Sequence, residues 1–289
     1  MTAFGIQGSG QLVDGTPDPG VFREVALRAE ELGYDSIWAG DHISFRNPIL
    51  DVVVALSTFA AVTERITLGA GIVLLPLRHP SVVAKEFASL DYLSGGRTIL
   101  GVGVGGESGP DFDAVGVSPR ERGARTDDAM KALRALFRDR PAAYEGRFFS
   151  FAGISIEPPP SQAGGPPLWV GGRSENAIRR AATLGDGWIP IWVSAEALGE
   201  VDLPERVTRA VTLPAHVGEK RRLYEHLRLR YSGDFGEHVV DRYCVAGTPE
   251  ECAARVREYI DAGAQHVVFN ILELEDAERL VEVTNAAAG

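Results

Sequence analysis

The pair Asp41-His42 in "WAGDHISF" is a short stretch of this chain that could move a proton. An imidazole titrates near neutral pH, so His42 can take up or release a proton with Asp41 beside it. The competing reading is a structural histidine tied to Asp41 or to a backbone carbonyl. Three further stretches gather glycines: "ITLGAGIVLLPLRHP" (66–80), "GVGVGGE" (101–107) and "VGGRSEN" (170–176). Without a Cβ in the way, main-chain N–H groups there can face an anion. Gly171, Gly172, Arg173 and a capping Ser174 make an anion cup, or else an ordinary left-handed turn and helix cap. "GVGVGG" is neither a P-loop nor a dinucleotide fingerprint, since it has no lysine and no short helix follows at once. Close packing of strands explains it equally well. In the first stretch Gly69 and Gly71 interrupt an apolar run, which signals a bulge or a close approach to the backbone.

These residues converge only if their elements end on one face. Apolar strands are expected at 3–7, 36–40, 66–73, 97–105, 167–172, 187–192, 226–232 and 266–271. Helical patterns fall near 19–32, 51–63, 81–94, 119–138, 174–184, 203–224, 249–262 and 275–287. Such alternation is the count of an α/β (β/α)8 TIM barrel with a parallel β-barrel core. An open doubly wound sheet is the alternative. In a barrel the active site lies at the C-terminal strand ends, which brings the glycine runs and Asp41-His42 together. Ser81 is expected to cap the third helix, with Gly95-Gly96 ending it, and Thr248-Pro249-Glu250-Glu251 opens another. Three segments break the rhythm: a loop at 106–118, a hairpin and Pro/Gly linker at 140–166, and 193–225, where Pro214 interrupts a helical pattern. They read as barrel loops within one domain spanning 1–289.

The chain is 45% hydrophobic with a formal net charge of -11, and no Lys/Arg cluster resembles a nucleic-acid footprint. No run of apolar residues is long enough to span a membrane, and the first residues lack a secretory pattern, so a cytoplasmic protein is expected. Cys244 and Cys252 are too few and wrongly spaced for zinc or a disulfide framework, and no metal is expected. The charged run "GEKRRLYEHLRLR" reads as a solvated helix face leading into a strand, not a binding patch. Trp188 and Trp192 read as an apolar substrate wall or, more commonly for such residues, as core or dimer contact.

Taken in order, "SIWAGDHI", "ITLGAGIVLLPLRHP", "LDYLSGGRTILGVGVG", "PLWVGG", "GDGWIP" and "GTPEECAARVREYIDAGAQHVVF" resemble the bacterial luciferase-like flavin/deazaflavin superfamily. Within it, the similarity is greater to coenzyme F420-dependent oxidoreductases. The resemblance covers nearly the whole chain and is weakest across 106–165 and 195–240. It implies a non-proline cis peptide between Gly71 and Ile72 that supports the central ring of the cofactor. It implies that Gly103, Val104, Gly105 and Gly106 approach the ribityl and phosphate portion, and that Gly171, Gly172 and Arg173 surround the phosphate. Asp41 and His42 match the family's Asp-His position, where the histidine faces the reactive edge of the ring. Arg78 and His79 then contact the phosphate or fix the loop. F420 enzymes of this type often carry a glutamate at the position of Gly106; here the acid is one residue later, Glu107, which stands as a third catalytic candidate.

The resemblance implies F420-dependent hydride transfer to or from a small organic substrate by a homodimer. One alternative is an FMN-dependent monooxygenase that uses molecular oxygen and reduced flavin from a separate reductase. The other is a non-catalytic flavin-binding or deazaflavin-binding barrel. Substrate-facing segments are those where the resemblance fades, so the substrate is not legible.

Overall fold

The computed structural model describes residues 2–8, 18–106, 109–231, 236 and 238–288. In chain order the first half contains β1 (Ala3–Gln7), α1 (Pro19–Glu31), β2 (Ser36–Ala39), α2 (Val52–Val62), β3 (Thr67–Ala70), β4 (Val73–Leu74), α3 (Pro80–Ser94), β5 (Thr98–Gly103), α4 (Gly109–Val115) and α5 (Arg122–Arg138). The second half contains β6 (Ala142–Glu145), β7 (Ser150–Ile154), β8 (Leu168–Gly171), α6 (Glu175–Leu184), β9 (Gly187–Ile189), α7 (Ala195–Gly199), β10 (Thr208–Val217), α8 (Lys220–Tyr231), α9 (His238–Tyr243), β11 (Val245–Gly247), α10 (Pro249–Asp261), β12 (His266–Ile271) and α11 (Leu274–Ala288).

Parallel pairing runs β1-β2-β3-β5-β8-β9-β10-β12 and returns from β12 to β1, so the sheet closes into an eight-stranded barrel. Closure excludes the open doubly wound alternative. The strands are buried on both faces, which is why "HVVFNI" and "TILGVG" read as nearly continuous apolar runs. Trp38, Ile99, Trp169, Ile189, Ala210 and Val268, from six different strands, pack together as the barrel's interior. A β-carbon at Gly69 would overlap the indole of Trp38, so part of the glycine signal in β3 is space for this ring. A larger apolar cluster joins the outer strand faces to the helices.

Local chemistry sets the helix ends. Asp18, Asp51 and Ser174 cap α1, α2 and α6, and Thr248 with Glu251 forms a full capping box on α10. Helix α3 starts one residue earlier than expected: His79, not Ser81, is its cap, with Nδ1 accepting from Ser81 N. Gly95, at φ 71°, ends it as expected.

The seventh strand departs from expectation. Segment 203–224 does not form a helix; its centre is β10, paired with β12 from Ala210↔His266 to Ala215↔Ile271. "TRAVTLPAHV" is mostly buried, and its Pro214 falls where it costs the ladder nothing. Thr208 N and Thr212 N donate toward β9, so the missing N–H of Pro214 faces the gap between the end of β9 and the start of β11. The alternating run at 226–232, expected as a strand, instead lies largely in α8, where Leu223 and Leu227 are buried and Leu229 stays exposed. The expected loop at 106–118 contains α4, and the 140–166 insertion forms the antiparallel pair β6–β7 as expected.

No described helix is long and apolar enough to cross a membrane. Cys244 and Cys252 are buried, and burial pushes both thiols up to about 12, as inert core residues.

Candidate active site

The C-terminal strand ends surround a largely apolar cavity of about 230 Å³. Asp41, His42, Gly71, Ile72, Val104, Gly105, Gly171 and Gly172 all line it. Gly103, Gly106 and Arg173 do not, and Glu107 lies outside the described residues.

Gly71 and Ile72 are joined by a cis peptide bond, at the position the resemblance implies. Gly71 N donates to Ala39 O at 2.7 Å, and Gln7 Nε2 donates to Gly71 O at 3.2 Å. The side chain of Ile72 leans across the barrel onto β5 and β8. β-Carbons at Gly101, Gly103 and Gly171 would each crowd it, so these glycines are first a matter of packing. Gly105, Gly106 and Gly172 differ, adopting φ values of 65°, 120° and 103° that disfavour any side chain. The guanidinium of Arg122 occupies the space beside Gly106 where a side chain would start.

Asp41 does not partner His42. Its Oδ1 lies 2.7 Å from Arg78 Nη2, its Oδ2 accepts from Leu74 N, and Arg78 also reaches Asp51 at 2.6 Å. Burial works against the charge of Arg78, but Asp41 and Asp51 outweigh it and raise the guanidinium's pKa. Arg78 ties β2 to α2 and β4, and His79 caps α3, contacts that fit the loop-fixing reading of "RHP".

The partner of His42 is Asp111, which sequence reasoning missed. His42 Nδ1 is 2.7 Å from Asp111 Oδ2, while Asp111 Oδ1 accepts from Ile43 N at 2.9 Å and Ser44 N at 2.7 Å. The His42 ring stacks on Phe45, with centroids 4.1 Å apart. Asp111 comes from α4, which is seated by Phe112 against Leu74 and Leu77. The available signal was "PDFDAV", one helical turn carrying a single large apolar residue inside a segment otherwise read as loop.

Gln7 and Asn270, paired across β1 and β12, add polar groups to the wall, and Thr212 adds a third. Arg230, the last residue of "GEKRRLYEHLRLR", and Tyr231 after it also line the cavity, so the end of that run is not a solvated face. Trp188 is core: it is fully buried and its Nε1 donates to Gly172 O at 2.8 Å. Trp192 sits at φ 62° and packs edge-on against Tyr231, and its carbonyl accepts from Arg173 Nη1 at 2.9 Å.

Residues 2–206 match the family model described as luciferase-like monooxygenase. The F420-dependent glucose-6-phosphate dehydrogenase of Kineococcus radiotolerans is 28% identical over 297 residues, spanning 87% of each chain. Among solved structures, an F420-dependent secondary alcohol dehydrogenase in complex with an F420-acetone adduct superposes with a TM-score of 0.87 at 20% identity, covering 99% of both chains. Monooxygenase RslO1 from Streptomyces bottropensis gives a TM-score of 0.81 at 22% identity, covering 98% of this chain and 97% of that one. The two structural likenesses show a common fold. With the family model matching from β1 to the approach to β10, the chain belongs to the luciferase-like monooxygenase family.

Proposed function

We propose that this protein is a coenzyme F420-dependent oxidoreductase acting on a small organic substrate. The observation that carries the reading is His42, held by Asp111 on the wall of an apolar cavity at the barrel mouth. The apolar cavity supports a flat ring, with Gly71, Gly105 and Gly172 presenting backbone along its wall. The curated relative of Kineococcus radiotolerans, named as F420-dependent, supports the choice of cofactor.

Ile72, Val104, Gly171 and Gly172 would hold the ring, and Arg122 and Arg173 would offer charge to its anionic arm. When bound, the deazaflavin supplies a carbon that accepts or donates hydride. His42 takes up or delivers the accompanying proton, and Phe45 and Ile49 keep water from the cavity wall. Asp41 acts indirectly, by fixing through Arg78 and Leu74 N the segment that follows the Gly71–Ile72 cis peptide, the ledge for the ring. We propose further that the chain works as one domain over 1–289 and as a homodimer. Val54, Val82 and Leu93, exposed on α2 and α3, support a face for a second copy, and sedimentation velocity checks it.

Titrating the purified protein separately with F420 and with FMN, followed by fluorescence quenching, tests the cofactor. Micromolar binding of F420 without FMN is expected; micromolar FMN binding without F420 overturns the reading. The second reading, an FMN-dependent monooxygenase supplied by a separate reductase, is favoured by the description of the matching family and by the absence of an acid at Gly106.

A further inference from the structure

We infer that Asp111 is a positioning residue that holds His42 in its Nδ1–H tautomer, leaving Nε2 as the atom that exchanges a proton. This rests on the proton role proposed for His42.

The geometry is specific. One carboxylate oxygen of Asp111 meets His42 Nδ1 at 2.7 Å, and the other accepts from the two backbone N–H groups that follow, Ile43 N and Ser44 N. Ring and loop are therefore gripped by a single group, and its side chain is only 1% exposed. A carboxylate accepts and does not donate, so a neutral imidazole facing it must carry its hydrogen on Nδ1. The lone pair then resides on Nε2. Phe45 constrains the ring plane through a stack with an interplanar angle of 16°. Asp41, its neighbour in sequence, does not offer this, because it is engaged by Arg78 and Leu74 N.

The position of Asp111 is itself enforced. Phe112, 1% exposed, packs with Leu74 and Leu77 immediately beyond the cis-linked ledge. The segment that follows the ledge thus also seats the acid. Such a carboxylate-to-imidazole contact selects which nitrogen is basic, as in other His-Asp pairs whose acid never takes the proton.

The substitution Asp111→Asn keeps the shape and reverses the polarity. Its amide oxygen can retain the Ile43 and Ser44 donors, and its NH2 group then faces Nδ1 and donates, which selects Nε2–H. The test is a 15N–1H correlation spectrum of the imidazole rings in the full chain at about pH 8.5, above the ordinary histidine range. His42→Gln identifies the resonance. The native protein should show His42 protonated on Nδ1, and Asp111→Asn should switch it to Nε2. Native His42 carrying its hydrogen on Nε2 overturns the inference, as does an unchanged tautomer in Asp111→Asn. Because the native spectrum decides alone, a variant that fails to fold does not rescue the idea. Failure of F420 to bind would overturn the functional reading and leave the tautomer assignment to the spectrum.

Discussion

Arg78 and Asp41 form an ion pair at 2.7 Å in which the Asp41 side chain is only 2% exposed. This buried pair, and not the adjacent histidine, is what the first half of the Asp-His motif serves. Arg78→Met leaves Asp41 buried without its cation, with Leu74 N as its remaining partner, and is expected to destabilise the fold by about 3 kcal/mol. Urea unfolding measures it. Arg78→Lys should recover only part of that loss, because one ammonium cannot reproduce a guanidinium spanning two carboxylates. A midpoint unchanged in Arg78→Met would dispose of this account.

Trp38 and Gly69 are complementary in shape. Gly69→Ala places a methyl against a fully buried indole and is expected to cost about 3 kcal/mol. Combining it with Trp38→Leu should give a loss smaller than the sum of the two single changes, with a coupling of roughly 1 kcal/mol or more. Strict additivity would show that the two residues do not compete for space.

His42→Gln is expected to lower turnover by about 10²- to 10⁴-fold, the range for loss of a general acid or base. F420 affinity should stay within several-fold, since the ledge and glycines that would hold the ring are untouched. Steady-state kinetics and fluorescence titration separate the two effects. Full turnover in the variant refutes the proton role.

His266 carries a pH dependence of stability. It is buried beside Ser36 and packs edge-on against the indoles of Trp38 and Trp169, and burial pushes its pKa down to about 4. The unfolded chain binds this proton near the ordinary histidine value of about 6.5, so between the two values the unfolded state holds more protons. Stability therefore falls as pH drops from about 6.5 to about 4, by roughly 3 kcal/mol from this group. His266→Gln should flatten that part of the curve, as read by denaturant unfolding at a series of pH values. An equally steep decline in the variant would assign the acid sensitivity elsewhere.

Legibility in the sequence followed the range of the interaction. Thr248-Pro249-Glu250-Glu251 and Gly95 act within one turn of helix, and each does what its type suggests. The strands at 36–40, 97–105 and 266–271 are buried on both faces, so their apolar runs announce them. At β10 and α8 the local signals mislead. Pro214 looks like a helix breaker until the gap beside β9 is known, and the alternation of Leu227 and Leu229 suggests a strand until tertiary contact selects only one of them for burial. At Gly103 and Gly171 the local signal allows either backbone facing an anion or close packing, and it is the side chain of Ile72, from another part of the chain, that lies beside both.

By itself the sequence determined the alternation of strands and helices, the end of the barrel where chemistry could gather, and the bend at Gly71-Ile72 through its family likeness. Only the tertiary structure decided that His42 answers to Asp111, 69 residues away, while its neighbour Asp41 turns to Arg78. The reason is tertiary: Asp111 comes from α4 and Arg78 from the segment after β4, and only the folded barrel brings both beside the loop after β2.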